Sequence, residues 1–436
     1  MRAAVIGAGL SGLTAAYRLK KAGWDVLVFE SEDQVGGRTL TGESGGYRYE
    51  LGATVAAKSY IPYFELADEL GLQLSPTPPI VSTFRDGKPH CLHLDRLVRS
   101  ALTTKILSWP AKLKCMLIAL DVAAASLKGY LDYTDLSKSA PIDNESAADY
   151  LRRRVGEEVH TYLGDPLIRT MTMTDADKIS KVEFFSGIMN VMKSQAYICE
   201  GGQGYMADVL AEHVEVNTGH RVTNVLETES GVQVDGEEFD AAVVAAPLPV
   251  AYDICPGYRD LLSPLNQSLQ YTECLSVAIG TAAVPDCPAW IVQVSAHDFP
   301  EVAQIVLEHN KSPENAPKGH GLFACLWEKD ASVQYRDASD EYIYEKTLKS
   351  VCKAFPELEG TADFFAVKRW KYAIPWTKIG SYKEIGHFNA AINPAARVQF
   401  AGDYMSATGQ HTAVKFGTQA ANNLLCAGRG ADQTSG

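Results

Sequence analysis

The chain lacks the spacings by which metals and disulfides announce themselves. Its nine cysteines (Cys91, Cys115, Cys199, Cys255, Cys274, Cys287, Cys325, Cys352 and Cys426) are scattered and odd in number, with no CxxC pair, and its ten histidines form no HExxH. Neither a disulfide framework nor a zinc site follows, and reduced thiols are expected. Positive charge is also scarce: 40 basic residues against 53 acidic ones leave a net charge of −13, which argues against nucleic acid as a partner. Long apolar runs are missing too. Cys115 to Leu127 contains Asp121 and is too short to span a bilayer. Arg96, Arg99, Lys105, Lys112 and Lys114 precede it, so a weak membrane-surface association stays open, with a solvated helix face as the expectation. No leader segment is expected where a chain begins on a strand, so the location expected is cytoplasmic. The sequence does not speak to oligomeric state.

What is present begins at once. Met1 to Ile6 is a short apolar run, GAGLSG follows with Gly7, Gly9 and Gly12, and Leu13 to Lys21 has helical spacing. This reads as strand, tight turn and helix. The next apolar run, Asp25 to Phe29, ends on Glu30, where a dinucleotide fold places the carboxylate that grips a ribose. Gly7 allows the turn, Gly9 lets backbone N–H groups approach a pyrophosphate, and Gly12 lets helix and strand pack closely. An adenine dinucleotide is expected here. The stretch Val35-Gly36-Gly37-Arg38-Thr39 then narrows the choice, because a nicotinamide dehydrogenase has no need of it. An extended FAD needs further backbone donors and an arginine.

At 436 residues two domains are the natural expectation. Leu51-Gly52-Ala53 would let a backbone lie against a cofactor. From Val81 to about Ile198 a hairpin around Asp86-Gly87 leads into helical stretches, the pattern of an inserted domain. Cofactor-like sequence resumes at Glu200 to Gly204, with short strands expected at Arg221 to Leu226 and Gly231 to Val234. A doubly buried strand is expected at Asp240 to Ala246. A second insertion, Ala251 to about Ala396, has strand-like stretches at Leu275 to Ile279, Ile291 to Val294 and Gly321 to Trp327. Arg397 to Gly402 reads as a strand, Asp403 follows it, and Thr412 to Leu425 reads as a helix whose N-terminus can face the flavin end. The fold class expected is therefore α/β. A Rossmann-like FAD-binding domain would be assembled from residues 1–80, 199–250 and 397–427. A mixed α+β substrate domain would be inserted as 81–198 and 251–396, and 428–436 would form a disordered tail.

The segments GAGLSGL…FESEDQVGGRT, EGGQGYM…VAAP and FAGD…TAVKFGTQAA resemble the flavin superfamily of monoamine oxidases, protoporphyrinogen oxidases and phytoene desaturases. The resemblance is strong over the cofactor segments and weaker over the insertions. It implies that Glu30 holds the adenosine ribose, that Arg38 lies by the pyrophosphate and that the Val222 backbone meets adenine. Gly402, Asp403, Thr412, Ala413 and Val414 would cover the ribityl and flavin. Leu10, Ser11, Ser31, Gly37, Gly52, Ala53 and Thr54 are the remaining cofactor contacts it implies.

Arg369-Trp370 with Ala373-Ile374-Pro375-Trp376 looks like a stretch of protoporphyrinogen oxidases and desaturases, as does Leu163 to Ser180. Ile379-Gly380-Ser381-Tyr382 is similar to the monoamine oxidase stretch that places a tyrosine over the flavin. The chain departs from that pattern in three places. The second cage tyrosine falls near Gly409, Ser381 stands where some amine oxidases carry a flavin-linking cysteine, and Thr272-Glu273-Cys274-Leu275 lacks the lysine many carry.

These features together lead to an enzyme that passes a hydride from a small organic substrate to noncovalent FAD, with oxygen as the expected reoxidant. Desaturation of a C–C bond in a ring or next to a carbonyl is favoured, and amine oxidation is the close alternative. A nicotinamide-dependent dehydrogenase and a nonenzymatic flavin carrier remain further readings. Tyr382, Trp376 and His411 are the catalytic candidates, with Arg169, Trp370 and Tyr382 as substrate contacts. Burial in the core, or an ion pair for Arg169, is the bland alternative for each.

Overall fold

A computed structural model describes residues 1–132, 135–193, 195–406 and 408–434. Five short strands, Arg2–Ile6, Asp25–Phe29, Glu215–Asn217, Ala241–Val244 and Val398–Phe400, pair in parallel as one sheet. The first strand lies between Asp25–Phe29 and Ala241–Val244. The apolar run Ala241–Val244 is buried at every position, as a strand covered on both faces must be. All five strands run the same way, so their carboxyl ends share one edge. The Gly7–Gly9 turn leaves from that edge, where open parallel sheets bind their ligands.

Two helices cover one face of this sheet. Leu10–Lys21 packs on Gln410–Thr434, with Leu13, Ala16, Val414, Ala420 and Leu424 in one apolar core. The approach is set by backbone. A Cβ on Gly12 would stand 1.9 Å from the Gly7 carbonyl oxygen, and one on Gly417 would stand 2.2 Å from that of Ser11.

A second sheet of seven strands is built from Ala362–Trp370, Cys274–Thr281, Gly321–Trp327, Val302–Leu307, Ile291–Gln293, Ile80–Arg85 and Lys88–His93, in that spatial order. The strand period of two divides its side chains cleanly. Leu275, Val277, Phe323 and Trp327 face a core shared with helix Asp340–Ala354, where the Trp327 indole N–H donates to Thr347 Oγ1 at 2.9 Å. The alternate residues face the other way. Ala278 and Leu322 meet Tyr47 and Tyr49, Ala324 and Val306 meet Val55 and Ala196, and Ala303 and Leu326 meet Trp370 and Ile374. A helical portion, including Trp109–Leu127, Ala147–Arg154, Asp165–Thr172 and Lys181–Lys193, packs around Leu151, Ile168, Phe184 and Phe185.

Asp86 and Gly87, both at positive φ, close the hairpin between Ile80–Arg85 and Lys88–His93. Three expectations change. The strands expected at 221–226 and 231–234 form at Val225–Glu227 and Val232–Val234, and with Glu237–Phe239 they make a separate antiparallel meander. The strand beside Asp25–Phe29 is Glu215–Asn217, a stretch for which no strand is expected. The last helix begins at Gln410 rather than Thr412, and it runs to Thr434, so residues 428–434 of the expected tail are helical. No proline interrupts that stretch. Residues 435–436 lie outside the described residues.

Gly417→Ala introduces a methyl 2.2 Å from the Ser11 carbonyl oxygen, where backbone already stands. A loss of about 1–3 kcal/mol is expected for such overpacking, read as a lower midpoint in denaturant unfolding.

Candidate active site

The site begins at the carboxyl end of the first strand. Gly7 has φ +103°, and a Cβ there would lie 3.0 Å from the Ala245 carbonyl oxygen. Around the position of a Gly9 Cβ there is no atom within 4 Å, so an open cradle lies beside the backbone. Leu10 and Ser11 open the helix, and the buried Ser11 Oγ has no hydrogen-bond partner. A hydroxyl and backbone N–H groups at a helix N-terminus suit an anionic pyrophosphate.

The Glu30 carboxylate closes this turn. Its Oε2 accepts from the Ala8 N–H at 2.7 Å, and its Oε1 accepts from the Glu32 N–H at 2.9 Å and Ser31 Oγ at 3.2 Å. Oε2, with a single donor, keeps acceptor capacity for a ribose hydroxyl. The second glycine pair rests on the first: the Gly36 N–H donates to the Ala8 carbonyl at 2.9 Å, and a Gly37 Cβ would lie 3.3 Å from Gly9 Cα. Val222 is buried beside Val225 in the same core.

At the other end, Arg38 binds Asp403 through two 2.8 Å hydrogen bonds and donates to the Ala373 carbonyl at 3.0 Å. The Ala53 N–H donates to the Arg38 carbonyl at 2.9 Å, and a Cβ on Gly52 would clash with that carbonyl at 2.1 Å. Gly402 packs on the ring of Tyr404. Thr412, Ala413 and Val414 lie in the first turn of the last helix, with Ala413 partly open. The open Gly9 cradle, the orphaned Ser11 hydroxyl and the fixed carboxylate and guanidinium fit an adenine dinucleotide.

Behind Gly52–Thr54 lies a buried charge cluster. Lys311 Nζ donates to the Thr54 carbonyl at 2.7 Å and stands 2.9 and 2.8 Å from the two Glu308 oxygens, one of which also accepts from Asn315 Nδ2 at 3.0 Å. Glu50 accepts from the Gln203 N–H at 2.9 Å and Thr41 Oγ1 at 2.8 Å. Burial, opposed by Lys311 and reinforced by Glu308, pushes Glu50 up to about 7. No motif marked this cluster. The only trace in the sequence is the i, i+3 spacing of Glu308 and Lys311.

The three catalytic candidates do not face an open site. Tyr382, His411 and Trp376 are 0%, 1% and 3% exposed. The Tyr382 hydroxyl donates to Glu183 Oε1 at 2.6 Å, where burial and that carboxylate hold it well above the usual phenol range. The cause is local. Gly380 takes a left-handed φ of +89° before helix Ser381–Ala391, and Asp143 Oδ2 accepts from the Gly380 and Tyr382 N–H groups, turning the tyrosine inward. Ser381 donates to the Ser268 carbonyl at 2.9 Å. Trp376 packs in the helical core, and His411 stacks on Tyr60 with ring centroids 4.2 Å apart. Arg169 is fully buried and is no substrate contact. It is spent on Asp175 Oδ1 at 2.5 Å and on the Phe299 and Val302 carbonyls. Trp370 remains partly open, with its indole N–H on the Leu51 carbonyl at 2.7 Å.

A parallel sheet carrying a dinucleotide cradle, beside a second sheet that walls its far end, defines an FAD-binding oxidoreductase. The chain belongs to the flavin containing amine oxidoreductase family, whose sequence model matches residues 10–425. As a member of that family it is a flavin-dependent oxidoreductase. It is 32% identical to protoporphyrinogen oxidase 2, chloroplastic/mitochondrial, of Arabidopsis thaliana over 204 residues, 46% of this chain and 38% of that protein. Against coproporphyrinogen III oxidase of Bacillus subtilis the match spans 92% of each chain at 23% identity. Among solved structures, cyclohexylamine oxidase from Brevibacterium oxydans superposes with a TM-score of 0.77 at 19% identity, covering 97% of this chain and 98% of that one. A putrescine oxidase double mutant gives the same TM-score and identity over 98% and 99%. These two likenesses establish the fold.

Glu30→Ala is expected to weaken FAD binding by about 1.5–3 kcal/mol, the range for hydrogen bonds to a charged group; full flavin content after extensive dialysis would contradict this. Tyr382→Phe is expected to lower stability by about 1–3 kcal/mol, because the buried Glu183 loses a donor. It should leave the rate of flavin reduction unchanged in stopped-flow absorbance, whereas a tyrosine at the reacting atoms would slow it about 100-fold or more.

Proposed function

We propose that this enzyme removes hydrogen from a C–C bond in a ring or next to a carbonyl, with oxygen reoxidising the cofactor. When bound, FAD supplies the acceptor for a hydride and its electron pair. Residues 1–80, 199–250 and 397–427 would hold it, and residues 81–198 and 251–396 would hold the substrate. Glu30 and Ser31 serve the adenosine ribose, Gly9, Leu10, Ser11 and Gly37 the pyrophosphate, and Val222 the adenine. Gly52, Ala53, Thr54, Gly402, Asp403 and the 412–414 turn serve the ribityl and flavin.

The observation that carries the reading is the chemistry of the sheet face beside Thr54 and Val55. It presents Val306, Ala324, Ala303 and Leu326 to Val55, Trp370 and Ile374. The two carboxylates behind Thr54 are already committed: Glu308 to Lys311 and Asn315, and Glu50 to Gln203 and Thr41. An ammonium substrate would meet neither of them free, whereas a flat apolar ring could lie on the partly open Val55, Trp370 and Ile374 that cover this buried face. The coproporphyrinogen III oxidase that matches along nearly the whole chain supports a cyclic substrate. Amine oxidation stays as the second reading because the two solved structures described above are amine oxidases by name.

Anaerobic mixing of the yellow holoenzyme with coproporphyrinogen III, cyclic ketones and primary amines separates the two readings. Bleaching of the flavin bands by a porphyrinogen or a ketone is expected, followed by peroxide formation when air is admitted. Bleaching by amines alone would overturn the proposal.

A further inference from the structure

The helix Trp109–Leu127 turns one apolar stripe inward and a second one outward. Ala111, Ile118, Val122 and Ala125 are buried in the helical core. On the outer stripe Trp109, Leu113, Met116 and Leu120 are 63%, 66%, 65% and 63% exposed, at spacings of four, three and four residues. Leu127 continues this stripe, and Val98 and Leu102 of the preceding helix Leu97–Thr103 are exposed as well. A solvated helix face would carry polar residues at these positions. Isolated exposed leucines are ordinary, but seven large apolar side chains on two successive helices form a patch that calls for an occupant.

The surrounding charge identifies that occupant. Residues 96–128 contain six basic side chains, Arg96, Arg99, Lys105, Lys112, Lys114 and Lys128, and one acid, Asp121, within a chain of net charge −13. Asp121 is held by Arg154 at 2.7 and 2.9 Å and by the Tyr150 hydroxyl at 2.8 Å. Arg96 lies 3.2 Å from Asp95 at the edge of the patch. Lys112 donates to the Leu102 and Thr104 carbonyls and lies 4.6 Å from the Trp109 ring, so it braces the two helices against each other. Among the described residues no helix is long and apolar enough to cross a membrane. An apolar stripe with a cationic border on a helix of this kind lies in the plane of an anionic bilayer surface. A second copy of the chain would set one cationic border against the other, at a Coulombic cost.

We infer that helices Leu97–Thr103 and Trp109–Leu127 dock this enzyme on membranes rich in anionic lipid, with the outer stripe in the acyl boundary and the cations at the headgroups. The inference does not depend on which substrate is oxidised. The test is flotation of the full-length FAD-loaded enzyme with vesicles of phosphatidylcholine alone, or containing about one-third phosphatidylglycerol, at low and at high salt. The comparison protein is the triple variant Leu113→Glu, Met116→Glu, Leu120→Glu, checked for unchanged flavin content and melting temperature. Co-flotation with the anionic vesicles is expected, reduced at high salt and reduced at least tenfold in the triple variant. Lys114→Gln should lower partitioning by about fivefold. Wild-type enzyme that stays with the soluble fraction at low salt would overturn the inference, as would equal flotation of the triple variant. A dimer in sedimentation that the triple variant dissociates, with no vesicle binding, would overturn it in favour of a second copy.

Discussion

Arg38 is the joint on which the cofactor site depends. Its guanidinium reaches Asp403 and Ala373, partners 365 and 335 residues further along the chain, while its own carbonyl takes the Ala53 N–H and leaves room only for glycine at position 52. One side chain and one peptide group therefore bring four stretches to a single place. The pair with Asp403 is bidentate and mostly withdrawn from water, a setting in which losing one partner leaves the other charge uncompensated. It also fixes where the last parallel strand ends relative to the glycine-rich loops.

Local order was legible where a few consecutive residues decide it. GAGLSG between an apolar run and a helical one gives strand, turn and helix because φ at Gly7 and the packing at Gly12 are imposed within six residues. The hairpin at Asp86-Gly87 is of the same kind. Pairings across long separations were not legible. Lys311 finds Thr54 across 257 residues and Tyr382 finds Glu183 across 199, and neither residue type says in advance which partner will be near. The Gly380-Ser381-Tyr382 pattern shows how a short resemblance misleads. The same three residues can pass over a cofactor or start a helix, and here Asp143, more than two hundred residues earlier, decides for the helix.

The stretch 97–127 failed to declare itself for a different reason. Apolar periodicity tells which residues avoid water, but a helix apolar on two sides has one core to face and one side left over. Only the packed structure shows that Ile118 and Val122 took the core and that Leu113 and Leu120 did not.

The cluster behind Gly52–Thr54 has an odd parity. Glu50, Glu308 and Lys311 bring two acids and one base into a volume without solvent, so full ionisation leaves one uncancelled negative charge there. Burial and the neighbouring Glu308 push Glu50 up, so protonation of that acid removes the excess charge. The peptide at Thr54 is tied to the same ammonium that answers the change. The Gly52–Thr54 loop thus rests on a buried foundation whose charge depends on protonation.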